Sequence, residues 1–211
     1  MIDTRWDILL LGGASGLGKS RAAAELAREQ GAFIVEFDDV VGAVQAITDA
    51  ETHPGLHHFD RLPDSAPPSP DRELQLQIAT AIAMEPAVVG VVGNRLTVPV
   101  PAVVEGDYIT PAAAARAIRA GAAAGRGVRA VFLHEDDVAQ VVANYADREP
   151  ELGSQTQRAE VGVRYSRWLA DRAAQHGLPV VACRPWRTLT RRITQADVPD
   201  VPDGRSAAGR G

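Results

Sequence analysis

A basic surface is missing from this sequence. Its 22 Lys and Arg are outnumbered by 27 Asp and Glu, which leaves a net charge of -5 and a pI near 5.5. Proteins that bind a duplex or a strand present a basic face, so no nucleic-acid partner is expected. Disulfides are excluded as well, because the chain holds one cysteine, Cys183. It sits in the apolar run LPVVACRPW and reads as a buried, inert thiol. A long apolar leader is also lacking. The opening MIDTRWDILLLGG carries an acid, no basic n-region and too short an apolar stretch for a signal peptide or a membrane span. The expectation is a cytoplasmic protein with no membrane partner, monomeric or homodimeric. No internal repeat and no heptad pattern is present.

What remains is ordinary globular composition, with 45% hydrophobic and 23% charged residues in 211. That suits one α/β domain over residues 1–196 with a small lid, followed by a disordered tail at 197–211. Short apolar runs alternate with helix-forming stretches. DILLLGG, residues 32–37, VPAVVEGDY, VRAVFLHE and LPVVAC read as strands. Between them lie helical patterns with start signals: Ser69 or Asp71 before the third, Thr110 with Pro111 before the fifth, and Asp136 before the sixth. EPAVVGVVGNRL is valine-rich but long and opens on Pro86, so a helix is favoured there. Residues 49–70, rich in Pro, His, Asp and Ser, form a long loop on the substrate side. The alternation gives a parallel sheet covered by helices on both faces.

Residues 13–20, GASGLGKS, fit G-x-x-x-x-G-K-[ST], placed after a predicted strand and opening a predicted helix. A loop of this kind binds phosphates with inward backbone N–H groups and the positive end of the next helix. Gly13, Ala14, Ser15, Gly16, Leu17, Gly18, Lys19 and Ser20 are the nucleotide-binding candidates. Lys19 is placed to reach the β and γ phosphates, and Ser20 to offer a hydroxyl to Mg²⁺. The loop names the phosphates of a nucleotide and Mg²⁺ as ligands, ATP in the leading reading below, but not the use made of them.

Two acidic pairs end predicted strands, where ligands of open α/β sheets bind. Glu105 and Asp107 are suited to holding Mg²⁺ through water, and Asp38 and Asp39 to facing a substrate hydroxyl. A carboxylate there can orient the hydroxyl and accept its proton. LLLGGASGLGKS, VEFDDVV, VVEGDYITP and RPWRTL, read together over residues 7 to about 195, resemble the small-molecule P-loop kinases. The nearest relatives by these blocks are 2-phosphoglycerate kinase and chloramphenicol phosphotransferase, with shikimate and gluconate kinases more distant. The resemblance implies a three-layer P-loop NTPase fold with five parallel strands in the order 2-3-1-4-5. It also implies a catalytic aspartate at Asp39, in DVVG, with Asp38 as the neighbour that can replace it. Glu105 and Asp107 take a metal or substrate role by the same likeness.

Such kinases close an arginine-bearing lid over the transferring group. The lid is expected at about 144–158, with Arg148 and Arg158 at its shoulders. Arg164 and Arg167 are set aside as i,i+4 partners of Glu160 and Asp171. Arg184 and Pro185, after the last strand, are placed to contact the base, and Arg95 to border the acceptor pocket. Trp168 and Trp186 are expected to pack. His53, His57 and His58 cluster without a visible fourth metal ligand. The leading reading is a kinase that phosphorylates a hydroxyl of a small molecule. The alternative is a nucleotide-dependent regulatory ATPase with no acceptor. N-K-x-D, the guanine signature, is absent.

Overall fold

Ile8–Gly12 (β1) is buried at every position, which a five-residue apolar run achieves only in the middle of a sheet covered on both faces. The computed structural model describes residues 6–58 and 68–196. β1 pairs in parallel with Ala102–Gly106 (β3) on one side and Val128–His134 (β4) on the other, Leu10 standing opposite Val104 and Ala130. Phe33–Glu36 (β2) flanks β3, and Val180–Ala182 (β5) flanks β4. The observed order is β2-β3-β1-β4-β5, all parallel, as the resemblance implied.

Eight helices follow in chain order among the described residues: α1 Lys19–Gln30, α2 Phe37–Ile47, α3 Pro70–Ala83, α4 Glu85–Leu96, α5 Pro111–Ala123, α6 Val138–Arg148, α7 Thr156–Gln175 and α8 Leu189–Gln195. The core runs from β1, β3 and β4 through Leu26, Phe37, Ile109, Phe132, Tyr145 and Tyr165. Cys183 is within it, and burial together with Glu135 pushes its thiol up to about 12, as an inert thiol requires.

Several local expectations change. The second strand stops at Glu36, and α2 begins at once on the fully buried Phe37. Asp38 and Asp39 therefore occupy a helical first turn, where carboxylates meet the positive end of the helix, and not a strand end. Ser69, of the two possible caps, starts α3 by accepting from Arg72 N–H. The cap of α6 is Asp137, which accepts from Ala139 and Gln140 N–H, because Asp136 is taken up by His134 and Arg167. Arg164 pairs with Asp71 on α3, and Arg167 with Asp136, so both carry tertiary contacts in place of the expected i,i+4 pairs. EPAVVGVVGNRL is helical, as α4.

Pro70–Leu96, covering α3 and α4, is by length and composition the one stretch among the described residues apolar enough to cross a membrane. Both helices pack on the domain, α3 against α7 and α4 against α5. Glu85 also ties α4 to Thr110 at 2.6 Å and Arg116 at 2.8 Å. Of the substrate-side loop, residues 59–67 lie outside the described residues, and so does the tail at 197–211.

Candidate active site

The turn from β1 into α1, the expected phosphate loop, is closed by means of glycine. Gly16 and Gly18 have φ of +77° and +78°, a region that side chains avoid. A Cβ on Gly18 would stand 2.5 Å from Trp186 Cζ3, and one on Gly16 would stand 2.8 Å from Tyr145 Cε1. The loop is thus pressed between the segment after β5 and α6. Gly18→Ala should therefore open the loop. Its nucleotide affinity is expected to fall at least about tenfold and its melting temperature by a few degrees, which titration calorimetry with ADP and a melting curve would test.

Lys19 is the only lysine in the sequence. Its side chain is buried, and Nζ donates to Ala14 O at 3.0 Å and to Asp107 Oδ1 at 2.5 Å. Burial alone disfavours an ammonium, but the negative charges of Asp107, Glu105 and Asp38 more than offset it and raise its pKa. Asp107 is fixed from behind by Tyr165, whose hydroxyl donates to Asp107 O at 2.9 Å. Glu105 is almost fully buried at the end of β3. Burial raises its pKa, against the opposing pull of a hydrogen bond from Ser20 and the charge of Lys19. Asp38 Oδ1 accepts from Asp107 N–H at 3.2 Å. Its carboxyl is raised to about 6, by burial first and then by the negative charge of Asp107. Tyr108 is pushed to about 12 by burial and the same two aspartates, so its phenol keeps its proton.

Lys19, Asp38, Glu105 and Asp107 border a cavity of about 470 Å³ above the carboxyl ends of β1 and β3. Of the residues singled out in the sequence, Ser15, Gly16, Gly18, Lys19, Ser20, Asp38, Glu105, Asp107 and Arg148 line it. Gly13, Ala14 and Leu17 support the loop from behind, Ala14 through its carbonyl.

Five other expected residues are not brought to the wall. Asp39 shares the first turn of α2 with Asp38 but does not line the cavity. A helix turns successive side chains by about 100°, so the two aspartates cannot share a target. Arg158 is drawn to Glu149 at 2.6 Å, Gln155 and the Tyr145 ring. Arg184 is captured by Glu135 through Nε at 2.6 Å and Nη2 at 2.9 Å, and Pro185 stays behind with it. Arg95 bonds its neighbour Asn94 near the end of α4. The next carbonyl, Leu96 O, accepts from Arg126, which precedes β4, so Arg95 belongs to the opposite end of the sheet from the loop.

The sequence reading missed Arg21, Asn144 and Asp147, and it gave Trp186 only a packing role; all four line the cavity. Asn144 Nδ2 donates to Gly16 O at 3.0 Å. A signal for α6 was present, since Asn144, Asp147 and Arg148 recur at i, i+3 and i+4 and so face one way. Among the described residues no three His, Cys, Asp or Glu converge as a metal cage, and His57 instead bonds Thr48 Oγ1 at 3.0 Å.

The Glu135–Arg184 pair holds the strap that carries Trp186. Burial opposes ionisation of Glu135, but the Arg184 hydrogen bonds and the Asp137 N–H override it and lower the carboxyl to about 2. A depressed carboxylate stabilises the fold above its unfolded value of about 4.5 and loses that contribution as pH falls toward 2. Glu135→Gln should lower the urea midpoint at pH 7, and the gap from the parent should narrow below about pH 4.5 and close only below about pH 2.

No protein-family model matches the sequence, and no curated protein matches it. Solved structures do share the fold. A gluconokinase from Sinorhizobium meliloti 1021 superposes with a TM-score of 0.55 at 15% identity, covering 91% of each chain. A shikimate kinase from Acinetobacter baumannii, solved with shikimate, gives 0.51 at 12% identity, covering 90% of this chain and 89% of its own. The five-stranded order 2-3-1-4-5 with its surrounding helices is the P-loop kinase fold of these neighbours.

Proposed function

We propose that the protein is a cytoplasmic, ATP- and Mg²⁺-dependent kinase that phosphorylates a hydroxyl of a small molecule. The observation that carries this reading is one cavity bordered by the phosphate loop with Lys19 and by Asp38. Glu105 and Asp107 supply the carboxylates that a donor site with Mg²⁺ uses, which leaves Asp38, on the same cavity wall, to serve an acceptor hydroxyl.

Lys19 and the loop N–H groups hold the β and γ phosphates. Ser20, Glu105 and Asp107 present the hard oxygens that Mg²⁺ prefers, and the Ser20–Glu105 hydrogen bond already gathers two of them. When bound there, Mg²⁺ supplies charge neutralisation on the phosphate oxygens. Asp38 orients the acceptor hydroxyl and takes its proton as the new O–P bond forms and ADP departs. Trp186 offers a flat apolar face at the donor end of the cavity. A nearby arginine spreads the charge of the transferring group.

The gluconokinase and shikimate kinase named above are the sources of the first acceptors to try. ADP release should be followed with gluconate, shikimate, phosphoglycerates, sugars and hydroxylated antibiotics. Acceptor-dependent release supports the kinase. Release that no acceptor changes, together with a tight protein partner, is the result expected of a regulatory ATPase.

A further inference from the structure

Both arginines that flank the turn at Pro150–Leu152 are joined by one carboxylate. Glu149 Oε1 accepts from Arg148 Nε at 2.8 Å and also from Arg148 Nη2, while Oε2 accepts from Arg158 Nη1 at 2.6 Å. The two guanidinium carbons lie 5.4 Å (Arg148) and 4.3 Å (Arg158) from the centroid of the Tyr145 ring. Tyr145 is buried beneath the phosphate loop, with its hydroxyl 3.4 Å from Ser15 O.

The two arginines differ in what else they meet. Arg158 is held again by Gln155 Oε1 at 2.6 Å and stays off the cavity wall. Arg148 lines the cavity, and its Nη2 reaches Ser15 Oγ at 3.4 Å. Its Nη1 has no hydrogen-bond partner among the described residues. A guanidinium is a rigid planar fork, so fixing its Nε edge on a carboxylate sets where the remaining N–H groups point.

We propose that Glu149, braced by Arg158, is a positioning residue that aims Arg148 at the transferring phosphoryl group. The inference rests on the kinase reading and divides the labour between the two arginines. Arg148 makes the contact, and Arg158 acts only through Glu149. Glu149 works against anion binding by its charge and for catalysis by its geometry. Glu149→Gln is therefore expected to lower kcat about tenfold while the nucleotide KM stays level or falls.

The test uses the whole chain and Mg²⁺, comparing by calorimetry the affinity for ADP with that for ADP plus aluminium fluoride, a mimic of the planar transferring group. The parent should prefer the fluoride complex. Arg148→Ala, Glu149→Gln and Arg158→Ala should each lose about tenfold or more of that preference with ADP affinity kept. Arg158→Lys, which retains the charge facing Glu149, should recover most of it. Arg148→Ala combined with Glu149→Gln should be no worse than Arg148→Ala alone, since one residue acts through the other. A Glu149→Gln protein with full preference overturns the proposal, as does a double variant that loses the product of both factors. A parent that binds ADP without preferring the fluoride complex overturns it too. A parent that binds no ADP overturns the kinase reading itself.

Discussion

Lys19→Met is expected to cut ATP-dependent turnover by at least about 10²–10³-fold, corresponding to about 3–4 kcal/mol of lost transition-state stabilisation. No other lysine exists in the chain to take its place. The second consequence is electrostatic. Lys19 is the cation set among Asp107, Glu105 and Asp38, so its removal leaves three carboxylates facing one another. Like charges raise each other's pKa, and the Asp38 carboxyl should climb above its value of about 6. The fold should persist, because the sheet and the apolar face of α1 (Ala22, Ala23, Leu26) are untouched. Turnover measured beside a melting curve separates the two outcomes. Activity within a few-fold of the parent would refute the role assigned to Lys19.

Asp38→Asn is the second large effect, a fall in kcat of about 10²–10⁴-fold, the usual worth of a positioned proton acceptor. Asn keeps an oxygen that can still accept from Asp107 N–H at the 3.2 Å position, so the change removes basicity more than structure. If the proposed reaction holds, the parent protein should show the matching pH dependence. Asp38 must be ionised to take a proton, and its carboxyl is lifted to about 6. The profile of kcat/KM should therefore be level above pH 7 and fall about tenfold per unit below pH 6. The Asn variant should lose that acid limb. Asp39→Asn, on the same turn but off the cavity wall, should keep turnover within a few-fold. If Asp39→Asn abolished turnover and Asp38→Asn did not, the proton acceptor would be the residue that the family resemblance implied.

The pair shows how far reading along the chain reaches. That one of these carboxylates borders the site follows from their place after the second strand. Which one depends on β2 ending at Glu36 and α2 starting at Phe37, a change of backbone that turns the next two side chains to different sides. Arg184 carries the same lesson. Its position after the last strand suggested a base contact, but Glu135, 49 residues earlier, holds its guanidinium. Arg95 was misplaced because nothing local tells which end of a helix lies over the carboxyl edge of the sheet.

The sequence by itself determined the glycine-rich loop between β1 and α1, the parallel α/β order and the acids that follow β2 and end β3. Each of these is encoded in contiguous residues, by glycines that permit unusual backbone angles, by apolar runs and by helix caps. The tertiary structure alone decided that Asp38 and not Asp39 borders the cavity, that Arg148 reaches it while Arg158 does not, and that Trp186 and Asn144 close upon the loop. Those outcomes depend on competition among distant partners for a few charged groups, and such partners meet only when the sheet and its helices are packed.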